Sequence, residues 1–281
     1  MEQKTRFKLA AFDMDGTTLN SKHEMSTNTI EAINRFANRG VQVVFATGRM
    51  DGAVKGHLDK ISSDGLVITH NGGLIKNLKS GEVISRKVIP TTIVEEIVSF
   101  SKISQTVVHI NTDNEVLISN NNHLSEKYAK ELGITLSIHS FDRVENIEAI
   151  SLLLIDEKDK LKEYLELMLH EFKEQFDYVF IPWDENIWML QFLAPKTSKG
   201  HAVIELSNLL GIDPKKEVIS FGDSYNDLEM IAETYFGVAM SNACKELKDV
   251  AKYVTKSNDL DGVAYVLDKL EMNEQRFLCD L

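Results

Sequence analysis

Four short apolar runs along the chain share one grammar: Leu9 to Phe12, Val41 to Ala46, Gly65 to Thr69 and Val218 to Phe221 each lead into polar or glycine-containing sequence. The followers are Asp13-Met14-Asp15-Gly16, Thr47-Gly48-Arg49, Asn71-Gly72-Gly73 and Gly222-Asp223-Ser224. Between the first two runs, Ser26 to Arg39 carries Ile30, Ile33, Phe36 and Ala37 at helical spacing, with Gly40 as the stop. This is a strand, helix, strand unit. The pattern repeats late in the chain, where Lys199 to Leu210 reads as helix, Val218 to Phe221 as strand, Asp227 to Glu233 as helix and Gly237 to Ala239 as strand. Such alternation predicts an α/β fold, a parallel sheet covered by helices. Ligands of open sheets of this type bind beyond the carboxyl ends of the strands, so all four polar followers are expected around one pocket.

The middle of the chain is patterned differently. From about Ile84 to Leu193 extended runs arrive in adjacent pairs, Val107 to Ile110 with Val116 to Ile118 and Tyr178 to Pro182 with Trp188 to Leu193, which predicts antiparallel hairpins. Helical patterns lie between them at Thr92 to Ser101, Leu124 to Leu132 and Lys158 to Phe172. We therefore expect a core of residues 1–83 and 195–281 interrupted by an inserted α+β domain over 84–194.

A length of 281 residues with 43% hydrophobic positions suits one large or two medium domains with a sizeable core. The net charge of −12 opposes extended contact with nucleic acid or an anionic membrane surface, while a small anion can still be held locally. Cys244 and Cys279 have neither zinc-like nor C-x-x-C spacing and read as reduced thiols of a cytoplasmic protein. Glu2, Lys4, Arg6 and Lys8 precede only a short apolar run, and stretches such as Ile150 to Ile155 fall far short of a bilayer span, so neither signal peptide nor anchor is expected.

The chemistry begins at the end of the first run. Side chains alternate along extended backbone, so Asp13 and Asp15 can face one side before Gly16 turns the chain, an arrangement suited to a cation. In isolation the same string also reads as an Asp-rich turn capping the next helix. Phosphoryl transfer uses the whole set: a magnesium ion takes a few carboxylates and a carbonyl, which Asp13, Asp15 and Asp223 can supply. Such an ion screens the repulsion between a phosphate and an attacking carboxylate. Asp13 is then the nucleophile, forming an aspartyl-phosphate, and Asp15 the acid and base that protonates the leaving alcohol and later accepts a proton from water. The Thr47 hydroxyl and the Gly48 N–H can hold a phosphate oxygen, although Thr47 taken alone reads more readily as a helix cap. Arg49 reads either as a substrate contact or as a structural arginine. Ser198 is a natural N-cap, and Lys199 stands at the positive end of a helix, where a cation calls for a nearby anion. Asn226 can bond phosphate, and Asp227 can bind a metal-held water or orient Lys199.

These residues resemble the haloacid dehalogenase superfamily of phosphatases, specifically the Cof-type branch with a large α/β cap. The likeness spans nearly the whole chain: D-x-D-G-T at Asp13 to Thr17, Thr47-Gly48-Arg49, Lys199, and G-D-x-x-N-D at Gly222 to Asp227, in the family's order. Asn71-Gly72-Gly73, Gly237 to Met240 with Asn242-Ala243, and Asn258 through Gly262 resemble further features of that branch. The resemblance implies a Rossmann-like core, a cap inserted between the second and third motifs, and magnesium held by Asp13, the Asp15 backbone carbonyl and Asp223. It also implies phosphate bound by the Met14 backbone, Thr47, Gly48, Lys199 and Asn226.

The expected activity is magnesium-dependent hydrolysis of a small phosphorylated metabolite such as a sugar phosphate, by a monomer or small homo-oligomer. A phosphomutase would use the same Asp13 and Asp15 pair. A signalling receiver or non-catalytic phospho-ligand protein also sets acids, a threonine and a lysine on an α/β sheet, but with a lone acceptor aspartate and no inserted domain. His109, Asn111, Asp113, Trp183, Asp184 and Trp188 read as packing and hairpin-turn residues of the inserted domain, outside the site.

Overall fold

A computed structural model describes residues 5–113 and 115–279. Glu2 and Lys4 lie outside the described residues. The chain opens with β1 (Leu9–Phe12), α1 (Thr27–Asn38), β2 (Gln42–Ala46), α2 (Asp51–Leu58), β3 (Leu66–Thr69), β4 (Leu74–Asn77) and β5 (Val83–Arg86). There follow α3 (Thr91–Ser104), β6 (Val108–Asn111), β7 (Val116–Ile118), α4 (His123–Leu132), β8 (Leu136–Ile138), β9 (Ser151–Glu157), α5 (Lys158–Glu171), β10 (Asp177–Pro182) and β11 (Ile187–Leu193). The last part holds α6 (Lys199–Leu209), α7 (Pro214–Glu217), β12 (Val218–Gly222), α8 (Leu228–Glu233), β13 (Phe236–Ala239), α9 (Lys245–Val250), β14 (Tyr253–Val254) and α10 (Gly262–Cys279). These elements form two compact units, residues 5–48, 54–84 and 198–279 in one and 49–53 and 85–197 in the other.

The first unit is built on an eight-stranded sheet in the order β14-β13-β12-β1-β2-β3-β4-β5. Its strands from β14 to β3 run parallel, and β4 returns antiparallel to β3. Alternation explains why the parallel strands read as unbroken apolar runs. Ala10 and Phe12 of β1 join one core with Ile33 and Phe36 of α1 and Val266 and Leu267 of α10. Leu9 and Ala11 face the opposite core, with Ala202, Val203 and Leu206 of α6. Both faces are therefore buried, and the fold is the expected α/β sheet with helices on each side. Ser26 caps α1 by accepting from the Thr29 N–H at 3.1 Å, and Gly40, at φ +83°, ends it.

Register brings the functional strand ends level. Phe12 stands opposite Phe45 on one side and Phe221 on the other, so the residues that follow, Asp13, Thr47 and Gly222-Asp223, emerge together at the carboxyl edge. The Asp13 N–H donates to the Phe221 carbonyl at 3.0 Å, which fixes this level.

The second unit is a six-stranded sheet, β10-β11-β9-β6-β7-β8, antiparallel except for β7 with β8. Both expected hairpins are present, but β9 lies between them, pairing with β11 and β6 and joining two hairpins into one sheet. Its run from Leu152 to Ile155 is buried on both faces, and its partners are not its neighbours in the chain, so no adjacent run marks it as half of a hairpin. Leu152 and Leu154 pack with α3 and α5, while Leu153 and Ile155 pack with Tyr128 of α4. Asn111 is the last residue of β6, not a turn residue, and is buried with its Nδ2 donating to Ser151 Oγ at 3.0 Å. Asp113 pairs with Arg86 at 2.8 Å, Trp183 donates to Glu131 at 3.0 Å, Asp184 pairs with Lys127 at 2.5 Å, and Trp188 packs on Phe180. Among the described residues no helix is long and apolar enough to cross a membrane.

His109 of β6 is buried, with Nδ1 3.1 Å from the Leu153 carbonyl and Nε2 lacking a hydrogen-bond partner among the described residues. Burial pulls its pKa down to about 4 against the partial support of that carbonyl. The unfolded chain therefore binds this proton from about pH 6.5 downward while the folded protein resists it to about 4, so stability falls as pH drops through that window. We expect urea unfolding to show roughly 3 kcal/mol more acid destabilisation between those limits in the native protein than in His109→Phe.

Candidate active site

The turn after β1 is shaped by residues that bond within it. Thr17 and Leu19 both donate backbone N–H groups to the Met14 carbonyl, at 3.2 and 2.9 Å, and the Thr18 hydroxyl donates to the Asp13 carbonyl at 2.9 Å. Gly16 adopts φ +76°, and a Cβ there would collide with the Asp223 carboxylate. Glycine thus allows both the turn and the close approach of the second acidic loop. Met14 is fully buried and anchors the turn from below.

Lys199, the first residue of α6, is the electrostatic centre. The Ser198 hydroxyl caps the helix by accepting from the His201 N–H at 3.0 Å, which directs the lysine into the interior. Its Nζ lies 2.5 Å from Asp13 Oδ1 and 2.7 Å from Asp227 Oδ1, with all three side chains essentially removed from solvent. The other oxygen of Asp227 accepts the Asp223 and Ser224 backbone N–H groups at 3.0 and 3.1 Å. Asp227 therefore uses one oxygen to place the lysine and the other to shape the loop that carries Asp223. Gly222 is required beside it, since a Cβ would stand 2.6 Å from that of Asp227. Asp223 Oδ1 accepts from the Thr17 hydroxyl at 3.1 Å.

Asp13, Asp223 and Asp227 each offer a carboxylate oxygen within 4.8 Å of the others. Three acids thus face one ammonium, and the imbalance is visible in their proton affinities. Burial, with added repulsion from Asp227 and Asp223, raises the Asp13 carboxyl well above its ordinary range in spite of Lys199. Asp223 is pushed up to about 6, by burial first and the Asp227 charge second. Burial works against the charge of Lys199, but Asp13 and Asp227 outweigh it and raise the ammonium's pKa. A cation of hard-oxygen preference fits this donor set, because it supplies the positive charge that the lysine alone does not. Since both Asp227 oxygens are already engaged, Asp13 and Asp223 are the carboxylates free in direction to hold it.

Asp15 stands apart from that buried group. Its carboxylate is about half exposed (47%) and lies 3.3 Å from His23 Nδ1, so the sequence-predicted pair is divided into one buried acid and one solvent-facing acid. Its side chain is not among the clustered carboxylates.

Thr47 is buried at the end of β2, held by its N–H to the Ile68 carbonyl, and its own carbonyl accepts from the Asn71 N–H, both at 2.9 Å. Arg49 is buried as well. His70, Asn71 and Gly72 take φ of 51°, 53° and 101° in succession, a left-handed excursion that costs about 1–2 kcal/mol at each non-glycine position. The excursion turns Asn71 toward Gly48, where a Cβ would come within 2.9 Å of its Nδ2, and Asn71 Oδ1 accepts from Asn226 Nδ2 at 2.9 Å. Asn226 Oδ1 is buried without a hydrogen-bond partner among the described residues.

The structure thus gathers buried Asp13, Asp227 and Lys199 with half-buried Asp223 into one cluster and joins Gly48 to Asn226 through Asn71. Thr17 and Asn71 were given no role by the sequence reading, although both lie inside quoted motifs. Two further supports come from distant loops: Asn242 Nδ2 donates to the Gly16 carbonyl and Asn258 Nδ2 to the Leu19 carbonyl, each at 2.9 Å. Their signal is a pair of asparagines in the C-terminal loops, whose target only the fold reveals.

Residues 10–267 match the model of the haloacid dehalogenase-like hydrolase family, and the chain belongs to that family of hydrolytic enzymes. It is 32% identical over 271 residues to the putative phosphatase YxeH of Bacillus subtilis, covering 94% of this chain and 98% of that one. It is 30% identical to the 5-amino-6-(5-phospho-D-ribitylamino)uracil phosphatase YwtE of the same organism, with the same coverage of each chain. A crystal structure of a haloacid dehalogenase-like hydrolase from Bacteroides thetaiotaomicron superimposes with a TM-score of 0.84 at 25% identity, over 94% of this chain and 99% of its own.

The two-sided role of Asp227 is testable with Asp227→Asn. An amide has one acceptor end, so it must turn its NH2 either toward Lys199 or toward the two backbone N–H groups, placing donor against donor in the interior. Urea unfolding in EDTA is expected to show a loss of about 3 kcal/mol.

Proposed function

We propose that this protein is a magnesium-dependent phosphatase of small phosphorylated metabolites that works through an aspartyl-phosphate on Asp13. The observation that carries the reading is the Asp13 carboxylate held at 2.5 Å by a buried lysine, beside a second, half-buried acid, Asp223, at the mouth of a parallel sheet. The phosphatase names of the curated relatives support it, and that of YwtE names a small phosphorylated metabolite as substrate.

Asp13 presents a carboxylate oxygen to phosphorus, forming one P–O bond as the bond to the leaving alcohol breaks. The lysine ammonium faces the incoming phosphate and the nucleophile alike, offsetting charge as the two approach. Thr47 through its hydroxyl, and Met14 and Gly48 through the backbone, hold the non-reacting oxygens, and Asn226 Nδ2 retains a second N–H for one of them beyond the one given to Asn71. Asp13, the Asp15 carbonyl and Asp223 would hold a magnesium ion, which would supply charge neutralisation between phosphate and carboxylates. Asp15 gives its proton to the departing alkoxide and regains one from the water that opens the aspartyl-phosphate. Asp227 keeps Lys199 and the Asp223 loop in place throughout.

The test is a panel of phosphate esters assayed for free phosphate. Turnover is expected to vanish in EDTA, to return with Mg2+, and to be lost in Asp13→Asn. Asp15→Asn is expected to slow alkyl phosphate hydrolysis by about 10²-fold or more. Undiminished turnover in Asp13→Asn would remove the nucleophile from this scheme, and phosphate release under Mg2+ separates hydrolysis from a mutase outcome.

A further inference from the structure

The loop after the first motif carries a side chain that the scheme above leaves unused. Leu19 pairs with Asp15 in an isolated β-bridge, so the turn that follows is tied to the backbone of the proton-transfer residue itself. That turn, Asn20 to Glu24, is braced at every residue. The Asn20 N–H donates to the Glu24 carbonyl and the His23 N–H to the Asn20 carbonyl, both at 2.9 Å. The Asn20 side chain accepts from the Lys22 and Glu24 N–H groups at 2.9 and 3.1 Å. From the far end of the chain, Asp259 accepts the Ser21 N–H at 2.8 Å and Asn258 bonds the Leu19 carbonyl. At the apex of this braced turn His23 takes φ +58°, a left-handed conformation costing a residue with a Cβ on the order of 1 kcal/mol. The conformation sets the imidazole Nδ1 3.3 Å from Asp15 Oδ1.

We infer that His23 is a positioning residue for the reaction, holding the Asp15 carboxyl in one orientation through both halves of the cycle. The inference rests on Asp15 carrying the proton, as proposed above. Asp15 alternates between two forms: as a neutral acid it loses its proton to the leaving oxygen while the P–O bond to the alcohol breaks. As a carboxylate it gains a proton from water while the P–O bond to Asp13 breaks. Over one turnover the proton count on Asp15 returns to its start, so no exchange with solvent through His23 is needed. What is needed is a partner that suits both forms. An imidazole Nδ1–H meets this requirement at a single atom: it donates to Oδ1 of the carboxylate, and to the same oxygen as the carbonyl of the acid, which leaves the O–H on Oδ2 to face the leaving oxygen. The Asp15 carboxyl is exposed to nearly half its surface, and a hydrogen bond from a braced turn narrows the orientations open to it.

The experiment compares His23→Gly, His23→Asn and Asp15→Asn in the full-length protein with Mg2+. Glycine relieves the left-handed backbone and removes the ring. Asparagine tolerates the same backbone and places an amide close to where Nδ1 stood, able to donate or accept. Two substrates are used, glycerol 1-phosphate, whose alcohol must be protonated as it leaves, and p-nitrophenyl phosphate, whose phenolate leaves unaided. His23→Gly is expected to lower kcat for glycerol 1-phosphate about tenfold, a part of the ~10²–10⁴ that acid–base assistance supplies, with KM within about twofold. The first-turnover burst of p-nitrophenolate should stay within about twofold of native, and His23→Asn should recover most of the glycerol phosphate rate. Equal losses on both substrates, a change in KM alone, or native kcat in His23→Gly would overturn the inference. If Asp15→Asn is slow while His23→Gly is native, only the role of His23 falls; if Asp15→Asn retains native turnover on glycerol 1-phosphate, both readings fall.

Discussion

One unbalanced charge arrangement governs this molecule: Lys199 lies between Asp13 and Asp227, all three withdrawn from water, with half-buried Asp223 beside them. A buried ammonium without partners would be lost to deprotonation, and buried carboxylates without it would not stay ionised. Each group is tolerable only because the others are present. The surplus of negative charge that remains suits the cluster to a cation of hard-oxygen preference. Stability and chemistry are here drawn from the same three or four side chains, which is why loop residues around them are so closely specified.

The parallel sheet exists to hold that arrangement. Level registration of Phe12, Phe45 and Phe221 brings three loops from distant parts of the chain to one edge, and the cores on both faces keep the strands from shifting. Above the edge, precision comes from polar side chains that bond backbone: Asp227 to the Asp223 loop, Thr18 to Asp13, Asn242 and Asn258 to the first turn. Glycines at 16, 48 and 222 let carboxylates and amides approach where any side chain would intrude.

The α/β organisation was legible because parallel strands buried on both faces announce themselves as apolar runs, and the acids stood at their ends. What escaped was of two kinds. Strand β9 escaped because its partners, β6 and β11, are not its neighbours in the chain, so no adjacent run marked it as half of a hairpin. The separation of Asp13 from Asp15 was hidden because two residues at i and i+2 were expected to share a face, whereas the backbone leaves the extended conformation within the motif as Gly16 turns it. Asn71 was visible as an Asn-Gly turn, but its bond to Asn226, 155 positions later, depends on two loops that only the sheet brings together.

The contact of Gly72 with the Ser198 carbonyl carries a mechanical implication. The chain returns from the second unit at Ser198, a single residue ahead of Lys199. Because that carbonyl is seated against a glycine of the loop after β3, the ammonium takes its reference from the sheet and not from the insert. Lengthening, shortening or reshaping the inserted segment can therefore diversify one half of an enzyme while the other half keeps its electrostatics, a division of labour anchored at one peptide group.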